Sequence, residues 1–317
     1  MKIVILDASA ANPGDISWKS IEAFGELTVY DVTTFDQIVE RTKDADIALT
    51  NKTPFTREIL NQLPKLRYIG VLATGYNVVD LAACAERGIV VTNVPEYGTY
   101  ATMQHTIALM LELTNHVALH NEAVMNGEWI TSPQFCFWKS PLTELCGKTM
   151  VVVGYGKIGQ RVAATALALG LKVIAVPHHI THNSDGEVQF MSLEEALPKA
   201  DIISLHAPLT PDTQGLISRS TLDKCKDGVL VINAARGGMV VEQDIRDALV
   251  SGKLGGYAAD VVATEPMLKD NPLLGAPNCI LTPHIAWAPK QTRERLIEVA
   301  TENIRSFLAG NPTNTVT

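Results

Sequence analysis

Residues 151–159 of the chain read VVVGYGKIG, and this stretch decides the fold. The valines from Val151 to Val153 are β-branched and predict a buried strand. A G-x-G-x-x-G turn follows at once, and residues 160–169, rich in Ala and Leu, predict a helix. Strand, turn and helix in this order are what a dinucleotide-binding site requires, whereas the glycine pattern alone also occurs in ordinary tight turns.

The three glycines of the turn have separate uses in such a site. Gly154 permits the tight turn, Gly156 lets the backbone approach a pyrophosphate, and Gly159 lets the helix pack closely on the strand. The N-terminus of the helix also offers N–H groups and the positive end of its dipole to the phosphates. We therefore predict that a cofactor contacts the whole turn, namely Gly154, Tyr155, Gly156, Lys157, Ile158 and Gly159.

The composition narrows the class of protein. A chain of 317 residues predicts two domains, and a formal net charge of −8 disfavours general binding to nucleic acid. The five cysteines contain no C-x-x-C pair, which favours a reducing cytoplasm over a disulfide scaffold or zinc site, so no metal is expected. The apolar run within residues 1–7 is too short for a signal peptide, and no run is long enough to span a bilayer.

Short apolar runs alternate with helical segments along the chain, a pattern typical of parallel sheets covered by helices on both faces. In the first series, the predicted strands are Ile3–Leu6, Leu27–Tyr30, Ile47–Thr50, Tyr68–Leu72 and Ile89–Thr92, with helices at Thr56–Leu63 and Val79–Glu86. In the second series, the predicted strands are Met150–Val153, Lys172–Val176, Ile202–Leu205, Val229–Ile232, Tyr257–Asp260 and Cys279–Leu281.

Two longer amphipathic patterns, Met103–His120 and Gln291–Leu308, predict helices that connect the two series. If the second helix carries the chain back, the first domain is discontinuous and comprises residues 1–99 and 290–317. The dinucleotide-binding domain then spans residues 100–289. We expect an α/β protein with two doubly wound parallel sheets and a cleft between them, at the carboxyl ends of the strands.

Three residues that follow strands of the second series have the types that a 2-oxo acid reductase needs: Arg236, Glu265 and His284. A guanidinium grips a carboxylate with two parallel hydrogen bonds, and an imidazole donates a proton near neutral pH. A carboxylate beside the imidazole fixes its tautomer. Each residue alone has a plainer interpretation as a surface arginine, a turn glutamate, or a capping or core histidine. Together on one rim they favour a catalytic site.

Further segments extend this pattern over nearly the whole chain. They are Ala73–Asn77, Gly154–Gly159, Leu205–Thr210, Asn233–Gly237, Asp260–Pro266 and Pro283–Ala286. With them the chain resembles the D-isomer-specific 2-hydroxyacid dehydrogenases, especially the glycerate dehydrogenase and hydroxypyruvate reductase group. The resemblance implies a Rossmann cofactor domain, a flavodoxin-like substrate domain and a nicotinamide cofactor.

The resemblance also implies roles on the substrate side. It implies that Arg236 binds the carboxylate and carbonyl of the substrate and that His284 is the proton donor. Glu265 would be the partner of His284. Backbone amides of the turn at Ala73, Thr74 and Gly75 would help to hold the carboxylate, because amides that face one point can bind an anion. The plainer interpretation of that turn is an ordinary strand-to-helix loop.

On the cofactor side, the resemblance implies that Asp260 lies near the nicotinamide carboxamide. The other implied cofactor contacts beyond the glycine turn are His206, Ala207, Pro208 and Ala234, together with Pro177 and His178. His206 can instead be a structural residue at the end of a strand.

The family dimerises through the long helix after residue 100, so a homodimer is expected. Trp138 lies in a segment that reaches the partner's active site in hydroxypyruvate reductases, and the alternative is an aromatic cluster at the dimer interface. Val78 departs from the polar residue of many members. Formate dehydrogenases carry Gln where this chain has Glu265, and the end at Thr317 argues against the longer phosphoglycerate dehydrogenases.

The choice of cofactor is open in the sequence. In members that prefer NAD, an acid at the end of the second strand binds the ribose hydroxyls, and Pro177 stands there instead. Donors for a 2′-phosphate follow it, namely His178, His179, Thr181 and His182. Because this loop holds no Arg or Lys, a strong phosphate clamp is missing. We predict NAD(H) or NADP(H), used equally or with NADP(H) favoured.

The function predicted from the sequence is reduction of a small polar 2-oxo acid, such as hydroxypyruvate or glyoxylate, to the D-2-hydroxy acid. One alternative is a reductase of bulkier 2-oxo acids, such as pyruvate homologues or aryl pyruvates. The alternative from another class is a nucleotide-sensing protein like the corepressors that share this fold. Those proteins carry extra tails for partners, and the sequence shows none.

Overall fold

The chain divides into two compact units. The computed structural model describes residues 1–179 and 184–317. Unit 1 comprises Met1–Gly98 and Ala288–Thr317, and unit 2 comprises Thr99–Trp287. No helix within the described residues combines the length and the apolar character needed to cross a membrane.

The elements alternate between strand and helix. The strands are β1 Lys2–Ile5, β2 Glu26–Val29, β3 Ile47–Thr50, β4 Tyr68–Val71, β5 Val90–Thr92, β6 Thr149–Val153, β7 Lys172–Val176, β8 Ser184–Asp185, β9 Val188–Phe190, β10 Ile202–Leu205, β11 Val229–Asn233, β12 Leu254–Ala259 and β13 Cys279–Leu281. The α-helices are α1 Ala8–Ala11, α2 Lys19–Glu22, α3 Ile38–Thr42, α4 Arg57–Leu60, α5 Leu81–Glu86, α6 Thr99–Asn115, α7 Val117–Met125, α8 Lys157–Ala168, α9 Leu193–Ala196, α10 Arg219–Leu222, α11 Glu242–Ser251 and α12 Lys290–Leu308.

Unit 1 is built on a parallel sheet with the strand order β2-β1-β3-β4-β5. Every residue of β3 and β4 is buried, as expected for parallel strands covered on both faces. The last helix, α12, packs on this sheet, with the rings of Phe307 and Tyr68 4.8 Å apart. The C-terminal segment then lies along β5, where the Val316 amide donates to the Val91 carbonyl.

Unit 2 contains a larger sheet with the strand order β13-β12-β11-β10-β6-β7-β9-β8, parallel except for the last pair. Alternate residues of β6 enter different cores. Val151 and Val153 pack in one cluster, and Met150 and Val152 pack in the cluster on the other face. Both sides of these strands are therefore apolar, which explains the continuous run of valines. The prediction of two parallel α/β sheets is confirmed.

The prediction of one helix over Met103–His120 is wrong. The helix ends at Asn115, and His116, with a left-handed φ of 48°, separates it from a second helix that begins at Val117. The Glu112 carboxylate accepts the Ala118 amide at 3.2 Å and so caps the second helix. Asn and His are among the few residues that tolerate such a break, which apolar periodicity does not reveal.

Two strand predictions also need correction. The hairpin of β8 and β9 was not expected, although Gly186, with φ 59°, stands at the first position of its two-residue loop, as such turns require. Strand β12 begins before the predicted Tyr257 and ends before Asp260. Gly255 and Gly256 look like strand breakers, but a Cβ on Gly256 would lie 2.9 Å from the Leu113 side chain of α6. The glycine lets the helix approach the sheet.

Five adjacent parallel strands of unit 2 end in register, because the last residues of β13, β12, β11, β10 and β6 are partners across the sheet. The residues that follow them form what we call the edge row: Gly154, His206, Ala234, Asp260 and Thr282. Neighbours in such a row are about 4.8 Å apart. Polar groups after these strands therefore converge on one edge of unit 2.

Candidate active site

The glycine turn at the start of the edge row is shaped for close approach. Gly154 has φ 91°, and a Cβ there would lie 2.5 Å from the Ala207 nitrogen. A Cβ on Gly159 would lie 2.1 Å from the Gly154 oxygen, so neither position accepts a side chain. A Cβ on Gly156 would meet no atom within 4 Å, and α8 begins beside it without a side-chain cap. The turn therefore fits a pyrophosphate, with the helix N-terminus facing open space.

Tyr155, between the glycines, ties the turn to the unexpected hairpin. Its hydroxyl donates to Asp185 Oδ2 at 3.1 Å, and its ring meets the Phe190 ring edge-on at 5.1 Å. Burial, with the Asp185 carboxylate adding to it, raises the pKa of Tyr155 to about 12. The phenol is thus a neutral donor that fixes the hairpin next to the turn.

The end of β7 carries no acid. Pro177 follows the strand and is half-buried, and the His178 and His179 side chains are exposed with their rings edge-on at 4.1 Å. Thr181 and His182, the other predicted donors for a 2′-phosphate, lie outside the described residues.

His206 follows β10 in the edge row, with one ring nitrogen paired and the other not. Its Nε2 lies 2.8 Å from Ser204 Oγ, whereas its Nδ1 is buried and has no hydrogen-bond partner among the described residues. Burial lowers the pKa of His206 to about 4, so the ring is neutral. The next residue, Ala207, covers Gly154 as described above, and the Pro208 carbonyl accepts the Thr213 hydroxyl at 2.7 Å.

Arg236 follows β11 in a turn held from both sides. The Asn233 side chain donates to the Arg236 carbonyl at 2.9 Å and accepts the Ala235 amide at 3.1 Å. A Cβ on Gly237 would lie 1.9 Å from the Val262 carbonyl carbon, so only glycine fits there. The Arg236 side chain is exposed, and Nη1 donates to the Ala235 carbonyl at 2.7 Å. Its other N–H groups have no partner in the part of the chain described, which leaves a fork for a carboxylate.

His284 and Glu265 are brought together. His284 Nδ1 lies 2.7 Å from Glu265 Oε2, and both side chains are about a third exposed. The other Glu265 oxygen accepts the Val262 amide at 3.3 Å. The Glu265 contact assigns the Nδ1 proton to that bond, so Nε2 is the atom that can transfer a proton. Glu242 of α11 supports this loop by accepting the Ala263 amide at 2.8 Å.

Asp260 holds the loop that carries His284. It is 1% exposed and accepts the Thr282 hydroxyl at 2.6 Å and the Ile285 and Ala286 amides at 2.8 and 2.7 Å. Burial raises the pKa of Asp260, but hydrogen bonds from His105, Thr282 and the two amides outweigh it and hold the pKa below its ordinary value. We call this arrangement the Asp260 clasp.

Sequence reasoning missed two supporting residues of this region, His105 and Glu242. His105 had a visible signal, since residues 101–111 of the helical pattern contain no other Asp, Glu, Lys, Arg or His. Glu242 had none, because an acid in the first turn of a helix is ordinary on electrostatic grounds alone.

The predicted carboxylate-binding turn lies in unit 1, after β4. The Val94 amide donates to the Ala73 carbonyl at 3.0 Å, and Asn93 Nδ2 donates to the Thr74 carbonyl at 2.7 Å. The Thr74 hydroxyl is used on the Val94 carbonyl at 3.0 Å. Within the described residues, the amides of Ala73, Thr74 and Gly75 donate no hydrogen bond. The turn thus has anchored carbonyls and unsatisfied N–H groups, as an anion site requires.

Trp138 lies in a segment of unit 2 that is ordered by local hydrogen bonds. Trp129 Nε1 donates to the Phe135 carbonyl at 3.0 Å, and the Lys139 amide donates to His120 Nε2 at 3.1 Å. Even so, the Trp138 and Phe135 residues are 69% and 86% exposed. The segment therefore holds aromatic side chains outward on a fixed backbone.

Comparison with known proteins agrees with this geometry. Residues 107–286 match the model of the D-isomer specific 2-hydroxyacid dehydrogenase NAD binding domain. The chain is 49% identical to a hydroxypyruvate reductase of Blautia hydrogenotrophica, over 100% of this chain and 99% of the relative. It is 39% identical to a glycerate dehydrogenase of Methylorubrum extorquens, over 99% and 98%.

Among solved structures, an acyclic imino acid reductase in complex with NADPH and D-Arg is 29% identical, with a TM-score of 0.87 and full coverage of both chains. The 49% identity extends over the whole of both chains, and the glycine turn fits a dinucleotide. Together these observations establish the family. The chain belongs to the D-isomer specific 2-hydroxyacid dehydrogenases and is a nicotinamide-dependent oxidoreductase.

Proposed function

We propose that this enzyme reduces a small polar 2-oxo acid, hydroxypyruvate or glyoxylate, to the D-2-hydroxy acid. The observation that carries the proposal is the 2.7 Å contact between His284 and Glu265 on the edge of the dinucleotide-binding sheet. The names of the two whole-length relatives, a hydroxypyruvate reductase and a glycerate dehydrogenase, support the substrate class. A nucleotide sensor would have no need for this pair.

Each site residue has one task in the proposed reaction. Reduced nicotinamide supplies the hydride when bound on the Gly154–Gly159 turn. Arg236 binds the substrate carboxylate through its exposed guanidinium, and the unsatisfied amides of Ala73–Gly75 are a second candidate site for an anionic group. As C2 gains the hydride and its π bond to oxygen breaks, His284 donates the Nε2 proton to that oxygen. The ring that donates is the imidazolium, protonated on both nitrogens, and Glu265 keeps the Nδ1 proton so that the neutral ring left behind is the Nδ1–H tautomer.

A panel of 2-oxo acids tests this proposal. Oxidation of NADH and NADPH is followed with glyoxylate, hydroxypyruvate, pyruvate, longer pyruvate homologues and aryl pyruvates, and the product is assigned by chiral chromatography. We expect the highest kcat/KM with hydroxypyruvate or glyoxylate and a D product. Highest kcat/KM with an aryl pyruvate would move the enzyme to the group with bulkier substrates, and no turnover with tight nucleotide binding would favour a sensor.

We propose that the enzyme uses NADP(H) at least as well as NAD(H). Pro177 removes the negative charge that repels a 2′-phosphate, and the exposed His178 offers a donor beside it. The structural neighbour with bound NADPH supports this direction. The ratio of kcat/KM for NADPH and NADH is the measurement, and a hundredfold preference for NADH would contradict the proposal.

We also propose a cytoplasmic homodimer. The five cysteines are unpaired, which suits a reducing compartment. The segment around Trp138 exposes Ile130 and Phe135 by more than four-fifths, and large exposed apolar side chains on a fixed backbone are typical of a protein interface. Sedimentation of the wild type and of Phe135→Asp tests this, with a dimer expected for the first and a monomer for the second. A wild-type monomer would contradict it.

A further inference from the structure

The imidazole of His105, in unit 2, has no role in the reaction described above. It projects from α6 and is 20% exposed. Its Nε2 lies 2.9 Å from Thr282 Oγ1 and 3.4 Å from Asp260 Oδ1. The neighbours of His105 on the helix, Thr106 and Ile107, are buried, so the imidazole reaches the edge row from a packed surface.

The hydrogen-bond pattern fixes the direction of these contacts. Thr282 has a single hydroxyl proton, and the 2.6 Å contact assigns it to the Asp260 carboxylate, which can only accept. The Thr282 oxygen is then an acceptor, so His105 must donate from Nε2–H. His105, Thr282 and Asp260 therefore form a chain of donors that ends on the carboxylate.

That carboxylate is what shapes the His284 loop. His284 has a left-handed φ of 56°, which a non-glycine residue keeps only where its surroundings hold it. This conformation turns the Ile285 and Ala286 amides toward Asp260, and the His284 amide donates to the Asp260 carbonyl at 2.8 Å. A rotation of Asp260 would therefore move the backbone of His284 and its ring.

We propose that His105 is a positioning residue for the reaction: through Thr282 it fixes the rotamer of Asp260, and through Asp260 it fixes the place of the His284 ring. The proposal rests on the proposed role of His284 as proton donor. His105 touches neither reactant and transfers no proton. From α6, His105 fixes the position of the His284 ring relative to the sheet.

A pair of conservative variants tests the donor. The amide nitrogen of Gln can occupy the place of Nε2, whereas the shorter Asn cannot reach it. We expect His105→Asn to lower kcat about tenfold, because small misplacement of a reacting group is costly, with NADH affinity unchanged. His105→Gln is expected to stay within about threefold of the wild type, and the surface control Gln104→Ala to match it. Equal losses in the Gln and Asn variants would overturn the proposal.

A double-mutant cycle separates positioning from general support of the fold. If His105 acts through His284, His105→Asn costs about tenfold in the wild type but less than about twofold in His284→Ala. The same cost in both backgrounds would overturn the proposal. If His105→Asn does not fold, Thr282→Val replaces it in the cycle with the same expectation. Wild-type turnover by His284→Ala would instead overturn the proposed function, whereas its inactivation with a fully active His105→Asn would overturn only this inference.

Discussion

In each of the two sheets, a buried aspartate that follows one strand holds the loop after a neighbouring strand, but the two loops carry different groups. In unit 2, Asp260 follows β12 and holds the loop after the neighbouring strand β13. In unit 1, Asp7 follows β1 and holds the loop after the neighbouring strand β3. Its carboxylate accepts the amides of Asn51, Lys52 and Thr53 at 2.7, 2.6 and 2.8 Å. Both aspartates are buried, and both accept backbone N–H groups of a loop that would otherwise lack partners.

The difference lies in what each loop presents. The Asp7 loop leads through Asn51, whose side chain donates to the Leu72 carbonyl, to the turn with open backbone amides. The Asp260 loop presents an imidazole paired with Glu265. All eight histidines of the chain lie between residues 99 and 287. In the proposed function, the Asp7 loop supports backbone amides that act as fixed dipoles, and the Asp260 loop carries the imidazole that exchanges a proton.

Exchanging each buried aspartate for asparagine tests this division most strongly. Both variants lose an anion that backbone donors surround, so each is expected to lower the free energy of unfolding by about 3 kcal/mol. Asp260→Asn is also expected to lower kcat about a hundredfold because the His284 ring is displaced. Asp7→Asn is expected to raise the KM for the 2-oxo acid while kcat stays within about threefold. Equal effects of the two variants on kcat would contradict the division.

The second prediction concerns His206 of unit 2, which should make the free energy of unfolding depend on pH by about 2 kcal/mol. The pKa of His206 is about 4 in the folded chain and ordinarily 6.5, so its contribution to stability is complete above pH 6.5 and is lost as the pH falls toward 4. From pH 7 to pH 5, urea unfolding of the wild type should lose about 2 kcal/mol more than that of His206→Gln. The exposed His179→Gln is the control and should follow the wild type. A His206→Gln variant with the wild-type pH dependence would refute this.

Replacing Glu265, the partner of His284, should lower kcat less than replacing Asp260, which holds the His284 loop. In Glu265→Gln the amide oxygen can still accept from Nδ1, but the negative charge beside the ring is gone. Because both side chains are partly exposed, solvent screens the lost charge, and kcat should fall only about tenfold. Steady-state kinetics of Glu265→Gln and Glu265→Ala measure this. A larger loss for Gln than for Ala would contradict the tautomer argument.

The smallest effect is expected in unit 1. Asn93→Ala removes the donor to the Thr74 carbonyl and loosens the amide turn without touching a side chain that reacts. The KM for the 2-oxo acid should rise about threefold with kcat unchanged, as for loss of uniform binding. A fall in kcat without a change in KM would show that this turn acts on the reaction step rather than on binding.

Local patterns in the sequence were sufficient to predict the two sheets and the glycine turn. The valines before Gly154 show burial on both faces, and the turn needs glycine for reasons that are visible one residue at a time. The strand ends also placed Arg236, Glu265 and His284 on one edge, because parallel strands share their carboxyl ends.

The Asp260 clasp could not be read in the same way. It depends on how β12 and β13 align, on the left-handed backbone of His284, and on how closely α6 approaches the sheet at Gly256. The break at His116 was missed because apolar periodicity continues across it. These features are set by tertiary packing, which no window of the sequence contains.

The most direct test of the account is the rate of hydride transfer in a single turnover of His284→Ala. Enzyme and NADH or NADPH are mixed with hydroxypyruvate in a stopped-flow instrument, and loss of the reduced nicotinamide is followed, with the exposed Gln104→Ala as the control. If His284 donates the proton, transfer slows by about 10²–10⁴-fold while cofactor affinity stays as in the wild type. A loss of less than about tenfold would contradict the assignment of His284 and with it the proposed reaction at this edge.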